Sequence, residues 1–537
     1  MNIRPSLALP MLLLLAASEA GAQQTVPERT NYQRTSSTAE VGAFLDSLQA
    51  RGAPITVGTM GRTAEGRPIY LVIASDPRVT SPREAHRSGK LVVYVQANIH
   101  AGEVEGKEAV QQLLRELMGV HHDLLSKLVI LVAPDYNADG NDAFGPVSVN
   151  RSEQNGPPMV GLRPDGLKLD LNRDYLKAEG PETRASLAHV YDTWDPAVMM
   201  DLHTTDGTLH GYLLTYSPGL NPNGPPGPTA FTQDTLLPAV RAAMRSKYHE
   251  PVFPYGNVRN VQHPQAWTTY SPLAWYGTNY VGMRGRIAVL SEAYSHADFK
   301  TRIQVTHDFV LEVLEYAAAH ADHIRELERE ADRQTTLEGS GELPRPDLAV
   351  DFRPASRGVE PVVLDRNNHL DTVPLPIYDR FVASRTVKLP GGYFLPPAEG
   401  GIAGLLRLHG IQVRRLVDAW SGDAQVLKID SLGAAANEFQ GHHLLTVRGD
   451  RVTATVTMPA GAYYISTAQP LGRLVFELLE PEGYGLARWN FFDRLLGSEE
   501  GALSGLVYGS SRVRTFPVWR VERDPQVPMR VVPQRRP

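Results

Sequence analysis

Residues 91–103 read Leu-Val-Val-Tyr-Val-Gln-Ala-Asn-Ile-His-Ala-Gly-Glu. The first five form an apolar, partly β-branched run without alternation, the pattern of a strand buried on both faces of a mostly parallel sheet. Where that run ends, His100 and Glu103 stand across a turn containing Gly102. Ala109, Val110, Leu113, Leu114, Leu117 and Met118 then recur at helical spacing on one face. The same alternation returns downstream. Residues 128–133 are a second buried-strand candidate, 197–202 a third after an amphipathic stretch around 183–194, and 286–291 a fourth. The spacing predicts an α/β fold, a mixed, mostly parallel sheet flanked by helices.

The chain has 537 residues, room for two to four folding units at about 150 residues each. Lys and Arg number 53 against 59 Asp and Glu, a formal charge of -6 that argues against a dedicated nucleic-acid or anionic-membrane binder. With no cysteine, disulfides, thiolate catalysis, cysteine-ligated zinc and iron–sulfur clusters are excluded. Residues 1–22 have Arg4, an apolar stretch at 7–17 too short to span a bilayer, and Ala20-Gly21-Ala22. They read as a removable export signal, so the protein is expected to be periplasmic or extracellular. No later stretch of about 18 apolar residues exists, and no membrane span is expected in the mature form.

A catalytic domain is expected over 23–336, closed by one long helix from 302 to about 333 that carries Phe309, Val313 and Tyr316 on one stripe. Residues 337–346 read as a helix stop and linker, because Glu338-Gly339-Ser340-Gly341 precedes Pro344 and Pro346. Period-two alternation at 452–458 and short pieces at 387–389, 393–395 and 405–413 predict a smaller β-rich C-terminal domain over 347–537, ending in a Pro/Arg-rich tail.

The chain lacks H-E-x-x-H, G-x-S-x-G and P-loop motifs. What remains is a set of polar residues where apolar strands run out: His100 and Glu103 after the first, Asn137 after the second, His203 ending the third, Glu292 ending the fourth. In open α/β sheets ligands bind at such strand ends, so these groups are expected to converge on one pocket. Two imidazoles and a carboxylate are a catalytic zinc set with a fourth position open for water. His121, His122, His442 and His443 read as exposed or loop residues.

From about Gly61 to Glu292 the chain resembles the zinc carboxypeptidase family of metallopeptidases. His100-Ala101-Gly102-Glu103 matches the family's H-x-x-E ligand pair, and Asn137-Ala138-Asp139-Gly140 resembles its N-P-D-G turn with Ala138 where Pro is usual. Asp170-Leu171-Asn172-Arg173 matches its D-x-N-R segment. The turn from Gly61 to Arg67 is similar to its G-x-S-x-E-G-R motif, with Thr63 in place of Ser. The resemblance implies one zinc ion per chain on His100, Glu103 and His203, with Glu292 as general base. It implies that Arg151 stabilises the oxyanion, that Asp170 accepts the outward N–H of His100, and that Asn172 and Arg173 grip a substrate carboxylate. Tyr270 would cap the pocket, with Gly277 or its neighbours at its floor. The implied activity is removal of a C-terminal residue from a peptide with a free carboxylate. The motifs leave open a zinc amidase or deacylase acting on cell-wall peptides or N-acyl amino acids, and a non-catalytic peptide- or glycan-binding protein. Oligomeric state is not readable.

Overall fold

The computed structural model describes residues 23–497, 507–508, 511–512 and 515–533; the expected export signal and the end of the tail lie outside them. Eight strands form the main sheet: β1 (Ile55–Arg62), β2 (Pro68–Ala74), β3 (Leu91–Ala97), β4 (Leu128–Ala133), β5 (Val198–Thr204), β6 (Leu214–Pro218), β7 (Val252–Pro254) and β8 (Ile287–Ala293). Their order is β1-β2-β4-β3-β5-β8-β6-β7. The four strands expected from the sequence, β3, β4, β5 and β8, are its parallel centre. β1 on β2, β2 on β4 and β6 on β8 pair antiparallel, which makes the sheet mixed.

Every residue of β3, β4 and β5 is buried, as runs without alternation require. On one face, Val93, Val95, Ile130, Val132, Val198 and Val289 pack against helices α1 (Thr38–Ala50), α2 (Glu105–Glu116) and α4 (Phe299–Ala319). On the other, Tyr94, Leu131, Met199 and Ala288 meet a layer containing Tyr191 and Tyr280, the latter on α3 (Gly277–Met283). This second layer continues without a break into Ile411, Leu474 and Leu478 of the C-terminal region. The C-terminal strands thus share a hydrophobic core with the catalytic sheet.

Two further joints reinforce that sharing. The short strand Trp267–Thr268 adds in parallel to Leu370–Tyr378, which pairs with Val359–Asp365. Arg473 on helix α7 (Gly472–Leu479) forms a buried pair with Glu338 at 3.0 Å and donates to the carbonyls of Asn223 and Gly224. A seven-stranded antiparallel-paired sheet dominates the C-terminal region, led by the long hairpin of β9 (Trp420–Ala434) and β10 (Leu445–Met458).

The structure corrects three local expectations. The helix expected over 302–333 is two, α4 and α5 (Ala321–Ser340), separated at His320. His320 leaves helical geometry, stacks on Tyr316 at 4.0 Å between ring centroids, and places Nδ1 2.9 Å from the Tyr316 carbonyl, so its side chain serves the end of α4. The expected linker 337–346 is helical through Ser340 and ends at Gly341, whose φ of +83° is left-handed. Residues 405–413 were expected as a short strand-like piece, but Leu405–Leu408 closes helix α6 (Gly400–Leu408). Ile402, Ala403, Leu405 and Leu406 are its buried side, and a window that short does not distinguish helix from strand by periodicity. Among the described residues, no helix is long and apolar enough to cross a membrane.

Arg473→Ala would strand the buried Glu338 carboxylate without its partner. A loss of about 3–5 kcal/mol is expected in urea unfolding, and a loss below about 1 kcal/mol would show that this joint does not hold the two regions together.

Candidate metal centre and active site

β3 and β5 are neighbours, while the chain leaves β3 to form β4 on the other side. The crevice beyond their carboxyl ends is therefore the switch point where such sheets bind ligands. Asn98, just past β3, takes a left-handed φ of +63° and donates to Asp135 at 2.7 Å and Asn141 at 3.1 Å. Asn137 donates to the Ile99 carbonyl at 3.3 Å, so the turn after β4 braces the turn after β3. At Gly102 a Cβ would come within 2.7 Å of Arg151 Cγ, so only glycine lets the arginine lie against this loop.

The loop brings His100 and Glu103 to His203 on β5. His100 Nδ1 lies 3.1 Å from Glu103 Oε1 and 3.1 Å from His203 Nδ1, and His203 Nδ1 lies 2.9 Å from Glu103 Oε2. All three side chains are buried, with ligand atoms within 4.8 Å of one another. Ligands at about 2.0–2.2 Å around a tetrahedral zinc stand roughly 3.3 Å apart. The spacing fits.

The other ring nitrogens strengthen this fit. His100 Nε2 is 3.0 Å from Asp170 Oδ1, and His203 Nε2 is 3.1 Å from Asp201 Oδ2. A neutral imidazole that donates outward to a carboxylate presents a lone pair inward, so both Nδ1 atoms are metal donors in that tautomer. Asp201 is in turn held by Gln96 Nε2 at 3.1 Å, and Gln96 Oε1 accepts from Tyr175 at 3.0 Å.

The same packing sets the charges around these groups. Burial would raise the Glu103 carboxyl, but His100 and Arg151 hold it well below the ordinary carboxylate range. Burial would lower His203, yet Asp201 and Glu103 hold it well above the usual imidazole value. Burial would also raise Asp170, which His100, Arg163 and Arg173 keep strongly acidic.

Glu292 stands beside His203 in the β5/β8 register and opposite Thr215 of β6. Burial, aided by Glu103 and Asp206, pushes its carboxyl up to about 8 against the pull of His203 and Arg151. A zinc ion adds two positive charges to this balance and draws that value down.

The remaining expected residues are placed as follows. Arg151 Nη1 donates to Glu103 at 3.0 Å, while Nη2 donates to the carbonyls of Thr204 and Thr205. Asn172 places Nδ2 3.4 Å from His203 Nε2 and accepts from the Gly277 N–H at 2.8 Å. Arg173 lies over the Tyr276 ring at 4.3 Å, 3.8 Å from Asp170. The Tyr270 hydroxyl hydrogen-bonds Thr278 at 2.8 Å, and its ring meets Tyr276 and Tyr255 edge-on. At Gly277 a Cβ would approach the Tyr175 ring at 2.9 Å and Asp201 at 3.2 Å.

Sequence reasoning missed Asp201, Arg163 and Tyr255. Asp201 left a signal: two residues before His203 on a strand, it shares that ligand's face. Arg163 left none. It donates to Glu103 at 3.2 Å and to Asp170 at 3.0 Å, and it is more open to solvent than Arg151. Tyr255 reaches the site from beyond the edge strand β7 and meets the field of Glu292 and Asp206.

Residues 41–208 match the zinc carboxypeptidase family model. Over that stretch the chain is similar to the zinc carboxypeptidase family. His100, Glu103 and His203 are a group that could hold a metal ion, the donor set of a zinc site. It is 23% identical over 462 residues to carboxypeptidase 2 of Trichophyton tonsurans, covering 78% of this chain and 77% of that one. Carboxypeptidase 2 of Trichophyton rubrum is 22% identical with the same coverage. Among solved structures, a metallo-carboxypeptidase from Burkholderia cenocepacia aligns with a TM-score of 0.39 at 18% identity over 54% of this chain and 70% of that one. Carboxypeptidase A from Helicoverpa armigera aligns with a TM-score of 0.39 at 17% identity over 57% and 80%.

Asp201→Asn keeps the shape of the His203 support and removes its charge. Zinc affinity should fall about 10–100-fold in competition with a chelating dye; unchanged affinity would show that Asp201 does not set the His203 tautomer.

Proposed function

We propose that the chain removes C-terminal residues from peptides by zinc-assisted hydrolysis, with Glu292 as general base and Arg173 and Asn172 at the substrate's carboxylate. The observation that carries this reading is the pair of inward Nδ1 atoms beside Glu103, each ring backed by its own carboxylate. Zinc on these donors supplies a Lewis acid and lowers the pKa of water.

The rest of the chemistry belongs to the chain. The Glu292 side chain makes no hydrogen bond or ion pair among the described residues, so its carboxylate is free to take the proton of the attacking water and pass it to the leaving amine. Arg151 and Arg163 put positive charge on the same side of the centre, where negative charge develops on the scissile oxygen. Arg173 is oriented by the Tyr276 face and by the Asn172 carbonyl, which leaves guanidinium edges for a terminal carboxylate. Residues 1–22 fit delivery to an exported compartment, where peptides with free termini would be the substrate.

Glu292→Gln should abolish peptide hydrolysis while zinc remains bound by elemental analysis; turnover near wild type would remove Glu292 from the reaction. In the wild type, a base is inactive once protonated, so kcat/KM should fall as pH drops through the Glu292 pKa, at a midpoint below 8 once zinc is bound.

Arg173→Ala should weaken substrates with a free carboxylate by about 2–4 kcal/mol, read as a higher KM. Amide-blocked peptides should be poor substrates for both proteins. Equal cleavage of blocked and free peptides by the wild type would favour an amidase instead.

A further inference from the structure

The hairpin of β9 and β10 turns near Gln440, 270 residues beyond Asp170 in sequence, yet the two touch: Gln440 Oε1 accepts the Asp170 backbone N–H at 2.8 Å. Gln440 and Gly441 both take left-handed φ, at +53° and +79°, and that turn aims the Gln440 side chain inward. Residues around it anchor the tip on the catalytic side. His442 Nε2 lies 3.0 Å from Glu179, and the Phe439 ring packs on Trp275 at 5.9 Å between centroids. Trp275 neighbours Tyr276, the ring under Arg173. The tip therefore reaches both supports of the site, the carboxylate behind His100 and the ring behind the arginine.

We propose that Gln440 is a positioning residue of the metal centre, acting through Asp170 on His100, and that Phe439 braces the Tyr276–Arg173 clamp from behind. The inference rests on the zinc-peptidase reading above. Asp170 has three tasks at once: Oδ1 faces His100 Nε2, Oδ2 accepts from Arg163, and Oδ1 also accepts the Asn172 N–H at 3.0 Å. These bonds fix its side chain only if its backbone stays in place, and its own N–H is held by Gln440. Without that acceptor the short turn from Asp170 to Arg173 keeps its internal bonds but loses its anchor at the Asp170 N–H, and the outward partner of the His100 ring is held less firmly. A catalytic centre built by one part of the chain thus depends on a hairpin from the other.

The test compares full-length wild type, Gln440→Met, Phe439→Ala and the control Glu438→Gln, an exposed neighbour on the same tip. Zinc dissociation constants come from dye competition, the visible spectrum from cobalt-substituted protein, and kcat and KM from a free-carboxylate peptide. Gln440→Met keeps the side chain's length but removes the acceptor. Its zinc dissociation constant should rise about tenfold, the lower end of the range for lost supports of metal ligands. Its cobalt band should shift, and kcat should fall more than KM rises. Phe439→Ala should raise KM with kcat near wild type, and Glu438→Gln should match wild type throughout. A smaller rise for Gln440→Met, with an unshifted cobalt band, overturns the role of Gln440. An unchanged KM for Phe439→Ala overturns the brace. Wild type that binds zinc but cleaves no peptide overturns the peptidase reading while the affinity comparison still decides Gln440; wild type that binds no zinc overturns both.

Discussion

Nδ1 of His100 and Nδ1 of His203 face each other across 3.1 Å, with both oxygens of Glu103 beside them. Asp170 and Asp201 lie beside the outward nitrogens; in the tautomer with protons on those far sides, the lone pairs converge in the middle. Lone pairs and a buried carboxylate repel one another unless a cation lies between them. The arrangement is therefore stable only as a metal site or with a proton in the cation's place. Arg151 and Arg163 reduce the cost from outside: at an effective dielectric near 20, opposite charges about 4 Å apart attract by about 4 kcal/mol. Both reach the same oxygen of Glu103, Oε1, at 3.0 and 3.2 Å.

Holding three such groups together requires rigid supports. β3 and β5 supply two of them as adjacent parallel strands, buried over their whole length. The turn after β3 is fixed by polar groups that would be costly to bury alone. Asn98 bonds Asp135 and Asn141, and the fully buried Lys107 of α2 joins the same group through Asn141 and the Ser36 carbonyl. Burial raises the Asp135 carboxyl, while Lys107, Thr38 and Asn98 work in the opposite direction. The segment before α1 is thus part of the ligand loop's support, although it lies more than fifty residues upstream.

The parallel centre of the sheet was legible because strands buried on both faces are apolar without alternation, and because polar residues at strand ends interrupt that pattern. For the same reason His100, Glu103, His203 and Glu292 could be picked out before any geometry was known. The edge strands β6 and β7 were not legible: Leu214–Pro218 and Val252–Pro254 are short, and their place is set by the antiparallel pairing of β6 with β8 and the parallel pairing of β7 with β6. The break at His320 was hidden because residues on both sides have good helix propensity, and only stacking on Tyr316 stops the first helix. Arg163 and Gln440 were invisible for a different reason. Their roles come from contacts across 60 and 270 positions, which no local pattern encodes.

The C-terminal region illustrates how such contacts become necessary. Composition and period separate it from the catalytic sheet, and both mark it as strand-rich. Its core, however, closes on the tyrosine layer beneath β3, β4 and β5, where Tyr280 bonds His409 at 2.9 Å and Arg284 reaches the His409 carbonyl at 2.8 Å. Removing the region would expose that layer, a patch far larger than isolated surface apolar residues. Once the second region must cover the sheet in any case, its hairpin tip lies next to the site at little added cost, and residues such as Gln440 can take over supports the catalytic part does not provide. The bond from the Asp170 N–H to Gln440 is then the point where the shared core and the candidate metal centre meet.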